Sequence, residues 1–406
     1  MNKAAGLGIQ GVTVILLLVL VKPAQAAEPS AAANDAAVLG SDRVDTDGLS
    51  DAVVFSGGHR TPVLVRTKKG TTLLFATRRS GGDLGPHDIV LRRSTDDDRT
   101  WGKTIDITTD GREKRIRCAN PSVVADRDTG TIWLFFDKGN LRDAENPPIR
   151  FTYSQDDGLT WAEPQKLSVS DRFDPDIPPI RSTTTHGIQL SNGRLLVTCA
   201  TVPGYRPVIL YSDNQGKTWR LGKPVERGSG TTSVEYCLLE LPDGRVYMNI
   251  RRAGGRRGLT SRSIAFSKDG GVTWTKAAKE PQLSGPDCHA GLVRLTDARQ
   301  HDRNPILFSL PVKGSPANRE DLRVWLSYDE GKTWKPEHSK VLYKGKASYS
   351  DMTVFPDRTI GIAYETDKPK WQSIRFARFT LEWLTDGRDK IAPKAAGLDA
   401  EPDHKE

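Results

Sequence analysis

The chain is written in short apolar runs rather than long amphipathic ones. Stretches such as TPVLVRT (61–67), TTLLFAT (71–77), DIVLRRS (88–94), GRLLVTCAT (193–201), RVYMNIR (245–251), SIAFS (263–267) and IGIAYE (360–365) are rich in Val, Ile, Leu, Phe and Thr. They are separated by turn tripeptides, KKG (68–70), SNG (191–193) and PDG (242–244). Runs of this length and composition, bounded by Gly, Pro, Asn and Asp, read as β-strands joined by hairpins. No long segment carries a 3.6-residue apolar period, so the expected class is all-β.

A second pattern overlies the first. An octapeptide recurs as STDDDRTW at Ser94, SQDDGLTW at Ser154, SDNQGKTW at Ser212, SKDGGVTW at Ser267 and SYDEGKTW at Ser327, with starts 60, 58, 55 and 60 residues apart. So regular a period marks one supersecondary unit copied along the chain. A unit of about 57 residues holds four strands of 5 or 6 residues with their loops, which is a propeller blade. The roughly 345 residues between the two termini then make about six blades. One blade lacks the octapeptide, and the last run, RFARFTLEWL (375–384), is expected to share a sheet with the N-terminal segment and close the ring.

The octapeptide itself suits a tight hairpin: Asp caps its own backbone, Gly takes a positive φ, Thr resumes the strand, and Trp packs between sheets. Its acidic residues invite a calcium reading, but an oxygen cage needs 6 to 8 ligands and this loop offers two or three. The copies also vary where a ligand could not, with Asn214 for Asp and Asp98 for Gly.

The termini read differently from the repeats. Lys3 precedes an apolar stretch, Gly11 to Val21, and the small-residue pattern Ala24-Gln25-Ala26, which together predict a secretory signal peptide over 1–26. Eleven apolar residues fall short of the ~20 that a membrane-crossing helix needs. An exported protein, periplasmic or extracellular and without a membrane span, is expected. Residues 27–43 read as a linker, 44–386 as the folded domain, and 387–406, charged and rich in Ala and Pro, as a disordered tail.

Removing residues 1–26 lowers the formal charge from +8 to +6. The basic residues are scattered, apart from short clusters in GREKRIR (111–117) and RRAGGRR (251–257). Nucleic-acid binding would want a continuous basic stripe with interleaved aromatics, so an anionic substrate is the better reading. Four cysteines, Cys118, Cys199, Cys237 and Cys288, allow three pairings between which spacing does not choose. Cys199 and Cys237 lie in apolar runs, as buried thiols do. No zinc spacing is present, and neither metal nor cofactor is expected.

An antiparallel hairpin pairs residues equidistant from its turn. About Asp243 this sets Glu235 opposite Arg251; about Lys69, Arg60 opposite Arg78; about Asp357, Tyr349 opposite Glu365. Three hairpins thus place Arg, Glu and Tyr side chains at one height above their turns, which in a radially repeated fold means one rim.

The repeat S-x-D-x-G-x-T-W at this spacing resembles the Asp box of the sialidase (neuraminidase) superfamily, bacterial-type exo-α-sialidases with Asp-box (BNR) repeats included. Its members are six-bladed β-propellers of four-stranded antiparallel blades. Since Asp boxes also occur in non-catalytic propellers, they imply the fold and not a reaction. HRTPVLV resembles the family's Arg-Ile-Pro motif, with Thr61 for Ile, and the resemblance implies an arginine triad of Arg60, Arg251 and Arg319 that holds the carboxylate of sialic acid through planar guanidinium forks. By the same resemblance Tyr349 in ASYSD is the nucleophile, Glu235 its base, Asp83 in RRSGGDLGPHD the acid/base, and Glu365 the carboxylate that orients Arg60. Arg78 and Asn120 match positions that contact sugar hydroxyls; His87 and His186 are given no role. A phenol approaches the carboxylate-bearing anomeric carbon without the repulsion a carboxylate would meet, and sialidases are the known tyrosine exception among glycosidases. Burial is expected to raise the pKa of Asp83 to suit a general acid.

The activity implied is retaining exo-α-sialidase action on sialylated glycoproteins, glycolipids or oligosaccharides. The alternatives are a non-catalytic sialoglycan-binding propeller, a trans-sialidase or maker of an anhydro product, and a hydrolase of another acidic sugar.

Overall fold

A computed structural model describes residues 44–391 except 47, 84, 140–148, 168–178, 229–231, 253–257, 297–302 and 369–371. The expected leader over 1–26 and linker over 27–43 lie outside the described residues. At the other end the packed chain runs past Asp386: Ile391 is 8% exposed and belongs to an apolar cluster with Leu381 and Leu384. Its backbone carbonyl accepts from Arg358 Nη1 at 2.9 Å. Of the expected tail, Asp389 and Ile391 are therefore buried while Gly387, Arg388 and Lys390 stay exposed, because one apolar residue inside a charged stretch finds a cleft to fill.

Strands dominate, as the apolar runs predicted, and every hairpin ladder is antiparallel. They fall into successive antiparallel groups. Strands His59–Arg66, Thr72–Arg79 and His87–Ser94 form the first, and Arg117–Ala125, Ile132–Gly139 and Ile149–Ser154 the second. Leu195–Thr201 and Pro207–Ser212, flanked by Ile180–Ser182, form the third, and Thr232–Glu240 through Ala278–Gly285 the fourth. The fifth and sixth share the long strand Ser339–Val354, whose first part pairs with Asn318–Ser327 and whose second pairs with Ile360–Thr366. The last strand, Ser373–Phe379, takes the N-terminal strand Leu49–Phe55 as its outer neighbour, as expected from RFARFTLEWL.

The core is divided in step with the groups. Each of six apolar clusters among the described residues is shared by two consecutive groups, and one joins the last group to the first: Leu64, Leu74 and Val90 pack there against Phe355, Ala363 and Phe376. Octapeptide tryptophans sit in these seams. Trp101 meets Phe376 at 5.3 Å between ring centroids, Trp161 meets Phe75 at 5.6 Å and Trp219 meets Phe135 at 4.9 Å.

All five octapeptides are built alike. In SYDEGKTW, Ser327 Oγ donates to Asp329 at 2.9 Å and accepts from Gly331 N at 2.9 Å, while Asp329 accepts from the Thr333 amide and hydroxyl, each at 2.8 Å. Glu330 and Gly331 both have positive φ, 61° and 77°, which is why glycine recurs at the fifth position. Asp98 fills that position in the first copy at φ 64°. The aspartate is consumed by its own turn, so the octapeptide is scaffold.

Candidate active site

A cavity of about 750 Å³ opens where the ends of several strand groups meet. Its wall includes Arg60, Asp83, Asn120, Glu235, Arg251, Arg319, Tyr349 and Glu365, eight of the nine residues singled out from the sequence. The ninth, Arg78, is elsewhere. Counting outward from Lys69 fails there because Thr61 adopts φ 57° and inserts a bulge: Val63 pairs with Phe75 as counted, but above the bulge Arg60 faces Thr77 and Arg78 faces His59. Strand alternation then sends Arg78 to the other face, where its Nη2 meets Asp106 at 2.8 Å. Arg79 takes its place in the wall and donates to Asp83.

The same kind of irregularity recurs at Ala119/Ser122, Thr232/Tyr236 and Ala347/Ser350. The innermost strands thus break regular pairing at one height, and the side chains freed there point into the cavity.

Tyr349 stands at the centre. Its hydroxyl donates to Glu235 Oε1 at 2.5 Å and accepts from Arg251 Nη1 at 3.0 Å. Arg251 also bonds Glu235 Oε2 at 2.5 Å and, through Nε, Asp287. The guanidinium carbons of Arg60 and Arg319 each lie 5.3 Å from the Tyr349 ring centroid. Arg60 is clamped by Glu365, with Nε at 3.2 Å from both carboxylate oxygens and Nη2 at 3.1 Å from one. Glu365 further accepts from Thr61 N at 2.7 Å, so the bulge also anchors the clamp.

The three arginines are not equally satisfied. Arg60 and Arg251 have carboxylate partners, whereas among the described residues Arg319 donates only to Ser348 Oγ at 2.8 Å and to the Asp287 carbonyl at 2.6 Å. Its Nε is buried without a hydrogen-bond partner. An unspent guanidinium between two others is a site for an incoming anion, and a carboxylate fits its fork.

Electrostatics set the resting protonation. Burial alone would raise the Glu235 pKa, but Arg251, His289 and the Tyr349 hydroxyl bring it down to about 2, so Glu235 is a carboxylate. Burial and the neighbouring Glu235 charge push the Tyr349 phenol well above its ordinary value against the pull of Arg251, Arg319 and Arg60. The phenol is neutral and already hydrogen-bonded to its proton acceptor.

For Asp83 the expectation of a raised pKa is overturned. Burial does raise it, but Arg60 and Arg79 outweigh burial and the net shift is downward. The side chain is 75% exposed on its glycine-rich loop and lies 3.2 Å from Arg60 Nη1.

Sequence reasoning missed Arg79, Arg117, Arg181, Asp287 and Ser348. The first is a bulge displacement, Ser348 sits in the irregularity between Ala347 and Ser350, and the others lie at a strand start, in a three-residue strand or in a connection with no repeat to mark them. His87 packs at Gly82 and His186 against Asp351, both away from the cavity wall. The four cysteines are buried free thiols. Among the described residues no His, Cys, Asp and Glu cluster could hold a metal, and no helix is long and apolar enough to cross a membrane.

An all-β repeat whose innermost strand ends converge on a tyrosine–carboxylate pair ringed by guanidiniums defines a pocket for an acidic ligand. The chain belongs to the BNR repeat-like domain family, whose model matches residues 61–362, within the sialidase superfamily. It is 32% identical over 349 residues to a sialidase of Micromonospora viridifaciens, covering 80% of this chain and 52% of that one. With a Bacteroides fragilis sialidase the identity is 29% over 340 residues, covering 77% and 60%. The chain thus spans between half and three-fifths of these relatives. Among solved structures, the Hadza microbial sialidase Hz136 superposes with a TM-score of 0.69 at 26% identity, covering 81% of this chain and 67% of that one.

Proposed function

We propose that the protein is a retaining exo-α-sialidase on a six-bladed β-propeller, releasing terminal sialic acid from glycoproteins, glycolipids or oligosaccharides through a tyrosyl-enzyme intermediate. The observation that carries this reading is the Tyr349 hydroxyl held 2.5 Å from a buried carboxylate, Glu235, within a ring of three arginines. The closed succession of six apolar clusters supports the propeller, and the apolar N-terminal stretch supports export to the periplasm or medium.

The chemistry follows from the resting geometry. The substrate carboxylate settles on Arg60, Arg251 and Arg319 and sets the anomeric carbon beside Tyr349. Binding spends the Arg60 charge that holds Asp83 down, so Asp83 gains a proton more readily and donates it to the departing glycosidic oxygen. As that bond breaks, Tyr349 oxygen bonds the anomeric carbon and its proton passes to Glu235. Asp83, now a carboxylate, takes a proton from water, which attacks the same carbon; the phenol leaves and recovers its proton from Glu235. Two inversions give net retention.

The test is turnover of a fluorogenic sialoside by the unmodified chain beside Tyr349→Phe and Arg319→Ala, with proton NMR of the first anomer released. The α anomer first, with Tyr349→Phe severely impaired, is expected. Release of the β anomer first, or undiminished turnover by Tyr349→Phe, overturns the mechanism; glycan binding without turnover overturns the hydrolase reading.

A further inference from the structure

Residues 286–290 carry the chain from strand Ala278–Gly285 in the fourth group to Gly291–Arg294 in the fifth, and they touch much of what the mechanism uses. The Asp287 carboxylate accepts from Arg251 Nε, and the Asp287 carbonyl accepts from Arg319 Nη2 at 2.6 Å. Cys288 Sγ lies 3.8 Å from Ser348 Oγ, the other acceptor of Arg319. The His289 ring stands 5.6 Å from the Tyr349 ring between centroids. Two of the three triad arginines thus take their places from a segment that belongs to no strand, with the nucleophile beside it.

Such a segment has no strand ladder to fix it, and His289, fully buried, has neither ring nitrogen hydrogen-bonded. What fixes it is Arg262, 3% exposed on strand Thr260–Ser267. Arg262 donates through Nη1 to the Cys288 carbonyl at 2.8 Å and through Nε to Asn249 Oδ1 at 2.7 Å. Asn249 is fully buried, lies two residues before Arg251 on the same strand, and donates in turn to the Tyr247 hydroxyl at 3.1 Å. The successive carbonyls of Asp287 and Cys288 are therefore held by two different guanidiniums, Arg319 and Arg262, which locks the two soft dihedrals between them.

For stability alone Arg262 is badly placed. Among the described residues no carboxylate lies within ion-pair distance of it, and Glu280, opposite it on the neighbouring strand, accepts from Gln282 instead. Its Nη2 is buried without a hydrogen-bond partner, and burial, with Arg251 as a like-charged neighbour, pulls its pKa down. A buried guanidinium met only by neutral acceptors costs more than an apolar side chain of similar size. What it supplies is a fixed spacing between the strand that bears Arg251 and the segment that bears Asp287. We propose that Arg262 is a positioning residue, which holds residues 286–290 so that Asp287 presents Arg251 and Arg319 to the substrate anion. The identity of that anion rests on the sialidase reading above, whereas the placement of the two arginines does not.

The test compares Arg262→Met and Arg262→Lys with the unmodified chain in three measurements: kcat and KM on a fluorogenic sialoside, melting temperature, and the Nε–H nitrogen-15 NMR signal of Arg251, assigned by its loss in Arg251→Lys. The carboxylate is gripped in ground and transition state alike, so Arg262→Met should raise KM by roughly tenfold or more while kcat stays within about threefold. Its melting temperature should hold or rise, because methionine replaces a buried charge. The Arg251 signal should shift or be lost to exchange as Asp287 drifts from it. Lysine still reaches one of the two acceptors and should restore part of the KM. A merely structural arginine would instead lower the melting temperature and the active fraction, hence kcat, and leave KM and the Arg251 signal unmoved; that result overturns the inference. Should Arg262→Met not fold, Arg262→Lys decides by the same readouts, with a KM and an Arg251 signal equal to those of the unmodified chain overturning it. Absence of turnover in the unmodified chain removes the sialidase reading, and the Arg251 signal still decides the role of Arg262.

Discussion

Glu235→Gln separates two roles that one carboxylate performs. In the native protein Glu235 is fully ionised with a pKa near 2, because the Arg251 ion pair and the Tyr349 hydroxyl outweigh its burial. Unfolded, it titrates near 4.3. A depressed native pKa contributes stability that is complete above the unfolded value and is lost as pH falls through the native one. Between pH 7 and pH 3 the native carboxylate stays ionised while the unfolded one takes up its proton, which removes about 2 kcal/mol of stability. Glutamine keeps the shape and cannot titrate, so the acid loss of stability in Glu235→Gln should be smaller by about that amount. Urea denaturation at pH 7, 5 and 3, followed by tryptophan fluorescence, measures it. Catalysis should move the other way, with kcat falling by about 10² to 10⁴ as the proton acceptor disappears. The phenol of Tyr349 should also titrate at lower pH, since the neighbouring anion that opposes phenolate is gone. Identical acid slopes for the two proteins, or full activity in the variant, would refute the reasoning.

Other substitutions sort the guanidiniums by what each leaves behind. Arg319→Ala removes the arginine with no carboxylate partner, so it should weaken substrate binding by about 2 kcal/mol with little change in melting temperature; equal losses of both would count against it. Arg60→Ala strands Glu365, 4% exposed, without its cation, and should cost about 3–5 kcal/mol of stability by denaturant titration. At the degenerate octapeptide, burial pushes the Asp98 carboxyl up to about 7, and the residue sits at φ 64°. A raised native pKa penalises the carboxylate progressively from the unfolded value near 3.9 upward. Asp98→Gly should therefore stabilise by at least about 1 kcal/mol, more at pH 7 than at pH 4; a melting temperature unchanged at both would defeat that account.

How far the sequence reached can be traced residue by residue. The octapeptide period and the short apolar runs carry the strand groups and their packing, because a turn that spends its own side chains looks the same wherever it occurs. Counting from turns found Glu235 with Arg251 and brought Tyr349 and Glu365 to one pocket, since below each bulge the pairing is regular, as in Tyr236 with Ile250 and Ser350 with Tyr364. It misplaced Arg78 because one left-handed residue, Thr61, shifts the register by one and exchanges the two faces. A hint was available: Thr61-Pro62 and Asn120-Pro121 share a left-handed residue before proline at equivalent bulges. Asp287 and Arg181 had no such marker; their place depends on how distant strand ends converge. The Asp83 pKa was misjudged for a related reason, since flanking glycines do not reveal which cations lie overhead.

The pairing of Leu49–Phe55 with Ser373–Phe379 makes the first and last stretches of the folded chain neighbours. The pocket straddles that seam: Arg60 follows just after the first strand, and Glu365, its clamp, arrives 305 residues later on the strand beside the last. A growing chain therefore carries an unclamped Arg60 until Glu365 and the strand beside it are available. The anion site is thereby tied to the ring seam, and a product cut short before Ser373 would lose the strand that pairs with Leu49–Phe55 and the Ile374 and Phe376 packing behind the site.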